Sequence, residues 1–257
     1  MFSVILESVN ILQLSKYLDE ALDIHSIKDS PKAVNGLQVE SAGEITKVGL
    51  AVDLCMATIR MAEEKNCGMM FVHHGMFWDG LQPVTGTRYE KLSAMIKANM
   101  GLYSAHIPLD VHPVLGNNRA LADMLGMRSL EPFGEYEGMK IGLKGKVDRQ
   151  PAQTLGKTLE EKLGASSRVI GGGEVETVGV VTGGAGDIVR QAIDENLDCY
   201  ITGEGANHNY HEAVEGKCVL ILSGHYATEK GGVLAVGRRL TEKFDIDCEF
   251  LDYPTGL

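Results

Sequence analysis

Val48-Gly49 opening an apolar strand, Ile59-Arg60 and Ala62 in a helix, and Phe71-Val72-His73-His74 closing a second strand form the stretch that decides the fold. Strand, helix and strand in succession are the mark of a layered α/β core. The same pieces return as Val178-Gly179, Val189-Arg190, Ala192 and Ile201-Thr202-Gly203-Glu204, each displaced by 130 positions. Farther along, Ser104, His106, Asp110 and Leu121 find Ser223, His225, Glu229 and Leu240 at a constant offset of 119. Repetition at a fixed spacing marks a duplicated unit. The expected fold is therefore α/β, with two interlinked, internally duplicated domains of layered sheet and helices and a site of approximate two-fold symmetry between them. The first domain is expected over residues 1–127 plus 221–257 and the second over 128–220.

Working outward, apolar residues from Asn10 to Asp23 recur at helical spacing, and Asn10 is a suitable cap. Strands are expected at Gly36 to Val39, Ile45 to Val52, Met69 to His73 and Gly101 to Ser104. Tyr136 to Val147 alternates and is punctuated by glycine, which predicts a hairpin, and further strands are expected at 168–170, 177–181, 199–202, 218–222 and 247–251. Helices are expected between them. No linker or low-complexity tract separates the halves.

Composition narrows the function. With 257 residues, a net charge of −11 and a pI near 5.2, the chain lacks the basic surface that neutralises a phosphate backbone, so nucleic acid is not the expected partner. Five cysteines without a C-x-x-C spacing read as free thiols in a reducing cytoplasm. Met1 to Val9 carries Glu7 and no basic start, and no apolar run approaches the ~20 residues that cross a bilayer. A cytoplasmic location without a membrane segment is the expectation.

The residues that bear chemistry are His73-His74 and the pentads His106 to Asp110 and His225 to Glu229, each with an imidazole four residues ahead of a carboxylate. Such a mixture suits Zn, Fe, Ni, Mn or Mg. His73 and His74 end an apolar strand, where α/β sheets bind ligands. Successive strand residues point to opposite faces, so for both to serve one site the strand must end at His73 and a turn must re-aim His74. On a helix or tight turn His225 and Glu229 share a face. The competing structural reading makes Thr228 a helix N-cap with Glu229 complementing the dipole. His208 and His211 lie three apart on an expected helix, where solvent-facing polarity explains them equally well. Phe77 and Trp78 read as pocket wall or core. The turn Thr182-Gly183-Gly184-Ala185-Gly186-Asp187 suits an anion, but capping of the next helix by Asp187 is the simpler account.

Taken together, Val72-His73-His74-Gly75, Ser104-x-His106-x-x-x-Asp110, Asn118-x-x-Leu121-Ala122-x-x-Leu125-Gly126, Thr202-Gly203-Glu204 and Gly224-His225-Tyr226-Ala227-Thr228-Glu229-x-Gly231 resemble the GTP cyclohydrolase I type 2 homologue family, also called Nif-three-like proteins. The resemblance implies a dinuclear metal site between two α/β domains, two divalent ions per subunit, and a homohexamer. It carries the ligand role onto His73, His74, Asp110, His225 and Glu229, with Glu229 bridging. Glu204, which the 130-residue offset sets opposite His74, is a candidate general base, and His106 a candidate proton donor. Orientation of the ligands by hydrogen bonding is an equal alternative for both. The implied activity is hydrolysis of a nucleotide-like small molecule, of the cyclohydrolase type that opens a purine imidazole ring and releases formate. A metallophosphoesterase, or a metal-binding regulator or scaffold without catalysis, uses the same residues.

Overall fold

The computed structural model describes residues 9–78 and 80–257; the reading of the first eight residues as free of a targeting signal lies outside them. The described residues form two compact units, one drawn from those up to 109 with 233–253 and one of residues 110–232 with 254–257. The expected division had assigned 110–127, 221–232 and 254–257 to the first unit, whereas the compact units assign them to the second.

The first unit contains α1 (Ile11–Ala21), β1 (Gly36–Val39), β2 (Lys47–Asp53), α2 (Met56–Glu64), β3 (Met69–His74), α3 (Gly86–Lys97) and β4 (Gly101–Ser104). The short helix α4 (Ile107–Val111) carries the chain across the boundary into the second unit. There follow α5 (Asn117–Met124), β5 (Arg128–Tyr136), β6 (Met139–Pro151), α6 (Ala152–Leu163), β7 (Arg168–Ile170) and β8 (Glu174–Val180). Next come α7 (Val189–Asp194), β9 (Cys199–Thr202), α8 (Asn207–Glu215), β10 (Val219–Leu222) and α9 (His225–Thr228). Helix α10 (Lys230–Phe244) returns the chain to the first unit, which closes with β11 (Asp247–Phe250). Among the described residues no helix is long and apolar enough to cross a membrane.

Each unit is a mixed α/β layer, and the duplication is visible in the strand orders. The first sheet runs β1-β4-β3-β2-β11, with β4, β3 and β2 parallel and β1 antiparallel to β4. The second runs β5-β6-β8-β9-β10-β7, with β8, β9 and β10 parallel and β7 antiparallel to β10. The edge strand, the parallel trio and the helix between successive trio strands thus recur in the same order. The hairpin expected at Tyr136 to Val147 is larger, because β5 and β6 turn at Glu137-Gly138 and pair back to Arg128.

Burial follows the strand period of two. On β9, Cys199 and Ile201 enter a core with Leu155 and Leu159 of α6, while Tyr200 faces the opposite core with Val189 and Ala192 of α7. The trio is covered on both sides, as buried parallel strands require. In the first unit Met70 and Val72 of β3 pack with Ile59 and Ala62 of α2 and Met95 of α3. On the other side of the strand pair, Phe71 stacks on Tyr103 at 5.7 Å between centroids, and the Tyr103 hydroxyl donates to Asp19 of α1 at 2.7 Å.

The segment after β3 is tightly built. A Cβ placed on Gly75 would lie 2.5 Å from Gln38 Nε2 and 2.7 Å from Ser104 Cβ. Gln38 Oε1 accepts the Met76 N–H at 2.8 Å, so the space is held by a side chain with other duties. Gly75→Ala should therefore displace Gln38 and destabilise the protein by about 1–3 kcal/mol, the usual cost of overpacking; chemical denaturation followed by circular dichroism measures it.

Candidate metal site

The first unit gathers its histidines at the carboxyl ends of β3 and β4. Strand β3 does not end at His73, as the sequence reading required. It continues through His74, which pairs with Asp53 of β2 and accepts the Leu54 N–H through its carbonyl at 2.9 Å. The two rings converge without a turn because each is anchored sideways to a different neighbouring strand end. His73 Nδ1 donates to the Ala105 carbonyl just past β4 at 2.8 Å, and His74 Nδ1 donates to Asp53 Oδ1 at the end of β2 at 2.8 Å. Their centroids lie 4.5 Å apart.

His106 joins them. Its Nδ1 donates to Asp29 Oδ1 at 2.8 Å, and its ring centroid is 5.1 Å from that of His73. Burial pushes the Asp29 carboxyl up, but hydrogen bonds from His106, Asn35 and Ser30, with the His106 charge, hold it below the usual carboxylate range. One ring nitrogen from each of His73, His74 and His106 falls within 4.8 Å of the others. Trp78 borders the group, its ring perpendicular to His106 at 4.5 Å.

The second unit gathers Asp110, Glu204, His225 and Glu229. His225 opens α9 and Glu229 terminates it, so four residues of helix bring His225 Nε2 within 3.2 Å of Glu229 Oε1. The pairing expected from spacing is present. The N-cap reading of Thr228 is not: its hydroxyl donates to the Gly224 and His225 carbonyls and accepts the Gly183 N–H at 3.0 Å. His225 Nδ1 donates to Glu204 Oε1 at 2.9 Å. Burial opposes a charge on His225, yet Glu229 and Glu204 outweigh it and raise the imidazole to about 9.

Asp110 is held by buried asparagines. Its Oδ1 accepts from Asn117 Nδ2 at 2.8 Å, while Asn118 donates to the Asp110 carbonyl and accepts the Thr182 N–H. A carboxylate oxygen of Asp110 lies within 4.8 Å of one of Glu229. Carboxylates held so close favour a cation between or beside them.

The glycine turn has a different purpose from the one expected. Gly183 has φ +74°, and a Cβ there would collide with the Glu229 carboxylate and approach His225 Nε2 to 3.2 Å. A Cβ on Gly184 would approach Glu204 Oε1 to 3.1 Å. The turn is a bare cradle beside these side chains. Asp187 does not cap: the turn of 3-10 helix at Gly186–Ile188 follows Ala185 with no side-chain cap, and Asp187 instead accepts from Asn209 and pairs with His208 at 2.7 Å.

The donor chemistry fits divalent ions of the Zn, Fe, Mn or Ni kind. All four imidazoles, His73, His74, His106 and His225, commit Nδ1 to a carbonyl or carboxylate oxygen. Those acceptors take a proton and give none, which directs the lone pair of a neutral ring to Nε2; at His225 a cation would first displace the Nε2 proton that faces Glu229. Metal-ligating histidines are oriented in this way. A contrasting group, Asp187, His208 and Glu212, also brings its atoms within 4.8 Å, but Asp187 and His208 are exposed and Arg190 occupies Glu212. His211 is exposed on α8, its ring 5.4 Å from Tyr210.

Sequence reasoning missed Asp29, Asn35 and Asp53. Asp29 and Asn35 sit in an irregular stretch between α1 and β1, and Asp53 ends a strand, so no periodicity or spacing distinguishes them from other polar residues. The internal offset did place Glu204 after β9 as His74 ends β3.

A Pyrococcus abyssi protein named GTP cyclohydrolase 1 type 2 homolog is 42% identical over 249 residues, covering 95% of this chain and 98% of its own. An Archaeoglobus fulgidus protein of the same name is 38% identical, covering 97% of this chain and all of its own. A crystal structure of a Thermus thermophilus protein superposes with a TM-score of 0.88 at 35% identity, covering 97% of this chain and 100% of that one. Residues 9–255 match the Duf34/NIF3 (NGG1p interacting factor 3) family, and the chain belongs to that family.

Proposed function

We propose that this chain is a divalent-metal-dependent hydrolase of a nucleotide-like small molecule, with two ions per subunit held by His73, His74, His106, Asp110, His225 and Glu229. The observation that carries the reading is the common anchoring of the four imidazoles through Nδ1, together with the close approach of Asp110 and Glu229. Such ions, when bound, supply Lewis acidity that activates water and polarises a substrate oxygen. Glu229, buried and with two carboxylate oxygens, would be one of the residues that hold the ions.

His106 enters this set on its geometry with His73 and His74, in place of the proton-donor role. Glu204 orients His225, and its half-exposed carboxylate is also the nearest candidate for accepting a proton from water. The nucleotide-like substrate and a ring-opening reaction with formate release rest on the names of the relatives. Five free cysteines suit a reducing cytoplasm, the proposed location. A homohexamer is the proposed assembly; light scattering at micromolar concentration should give six times the 27.8 kDa chain mass, and a monomeric mass would end it.

Protein purified without added metal should contain divalent ions by elemental analysis. His106→Ala should lose at least one of them, since three imidazoles cannot be replaced by two. If that variant keeps both ions and loses only turnover, His106 is a proton donor after all. Glu204→Gln should weaken metal binding by about tenfold, the lower end for loss of a ligand-orienting partner. Full metal affinity with turnover abolished would instead make Glu204 the general base. Screening nucleotides for formate or phosphate release separates ring opening from phosphoesterase action, and a loaded protein that turns over none of them is a regulator or scaffold.

A further inference from the structure

Asp29 lies in the irregular stretch between α1 and β1, and its side chain is 6% exposed. Three of its four partners are fixed donors, and the fourth is the His106 ring. Oδ1 receives His106 Nδ1 at 2.8 Å and the Ser30 N–H at 2.6 Å; Oδ2 receives Asn35 Nδ2 at 2.7 Å and the Ile107 N–H at 3.1 Å. Asn35 cannot reverse its amide to relieve a change, because its Oδ1 accepts the His106 N–H at 2.8 Å. The pocket therefore demands an acceptor at both oxygens, which only an ionised carboxylate supplies.

We propose that Asp29 is a positioning residue for the metal centre: it fixes His106 as the Nδ1–H form, so that Nε2 presents its lone pair to the ion. The inference rests on the metal reading above. The same stretch and the β1 strand that follows it also tie down the chain after β3, because the Val34 N–H donates to the Phe77 carbonyl at 3.1 Å and Gln38 of β1 holds Met76. These contacts fix the backbone that carries Trp78, whose ring borders His106. One loop thus sets both the ring's tautomer and its neighbour. An asparagine at position 29 would turn an NH2 group against Asn35 and Ile107 or against Ser30 and His106. The second choice is relieved for the ring only if Nδ1 becomes the acceptor and the proton moves to Nε2, where a metal would bind.

The tautomer is measurable in metal-free, full-length protein by nitrogen-15 NMR of the histidine rings at a pH where His106 is neutral. Wild type should show Nδ1–H at His106. Asp29→Asn should shift it toward Nε2–H and weaken zinc binding, followed by chelator competition, about 10–100-fold. Asn35→Ser loosens the same loop but leaves the carboxylate against the ring, so it should keep the wild-type tautomer. Nε2–H in wild type overturns the proposal, even if Asp29→Asn does not fold. So does an Asp29→Asn protein with wild-type tautomer and zinc affinity, or a tautomer lost equally in Asn35→Ser. Wild type that shows the Nδ1–H form but takes up no zinc refutes the metal reading itself and with it the purpose assigned to Asp29.

Discussion

An imidazole offers a metal only one nitrogen at a time, and a neutral ring must carry its proton on the other. The proposed donor set depends on meeting that constraint four times. His73 uses the Ala105 carbonyl, His74 uses Asp53, His106 uses Asp29 and His225 uses Glu204. Three of these acceptors are carboxylates, which strengthen the ring as a donor as well as orienting it. Each anchor lies 21 or more residues from its histidine in the chain, so folding has to bring every pair together.

The sheets are what make this possible. In both units the relevant residues follow the carboxyl ends of parallel strands, where side chains of adjacent strands and the loops after them meet. His73 and His74 illustrate the point. Alternation should send them apart, yet lateral anchoring to β4 on one side and β2 on the other draws both rings beyond the strand end. Small residues clear the space. Gly75 makes room for Gln38 and Ser104, Gly183 for Glu229, and a Cβ on Gly203 would approach His225 Cα to 2.6 Å.

The surface trio Asp187, His208 and Glu212 shows why residue types alone are insufficient. It contains the same chemistry at the same spacing, but Asp187 and His208 are exposed, Glu212 is paired with Arg190, and His208 meets Asp187 through Nε2. A solvated ion-pair network of this kind gains little from each contact. Burial and acceptors on the distal nitrogen separate the inner groups from it.

By itself the sequence determined the α/β class, the duplication, the family and the candidate residues for a site, because hydrophobic periodicity and fixed motif spacing are written locally along the chain. His225 and Glu229 were legible as a pair because four residues make one helical turn, and α9 supplies it. The tertiary structure alone decided that β3 runs through His74, that His106 groups with His73 and His74, that the glycine turn cradles Glu229, and that Asp29 and Asp53 hold the rings. Those facts depend on hydrogen bonds between residues far apart in sequence, and an aspartate in an aperiodic loop bears no local mark of the donor it will meet once the chain has folded.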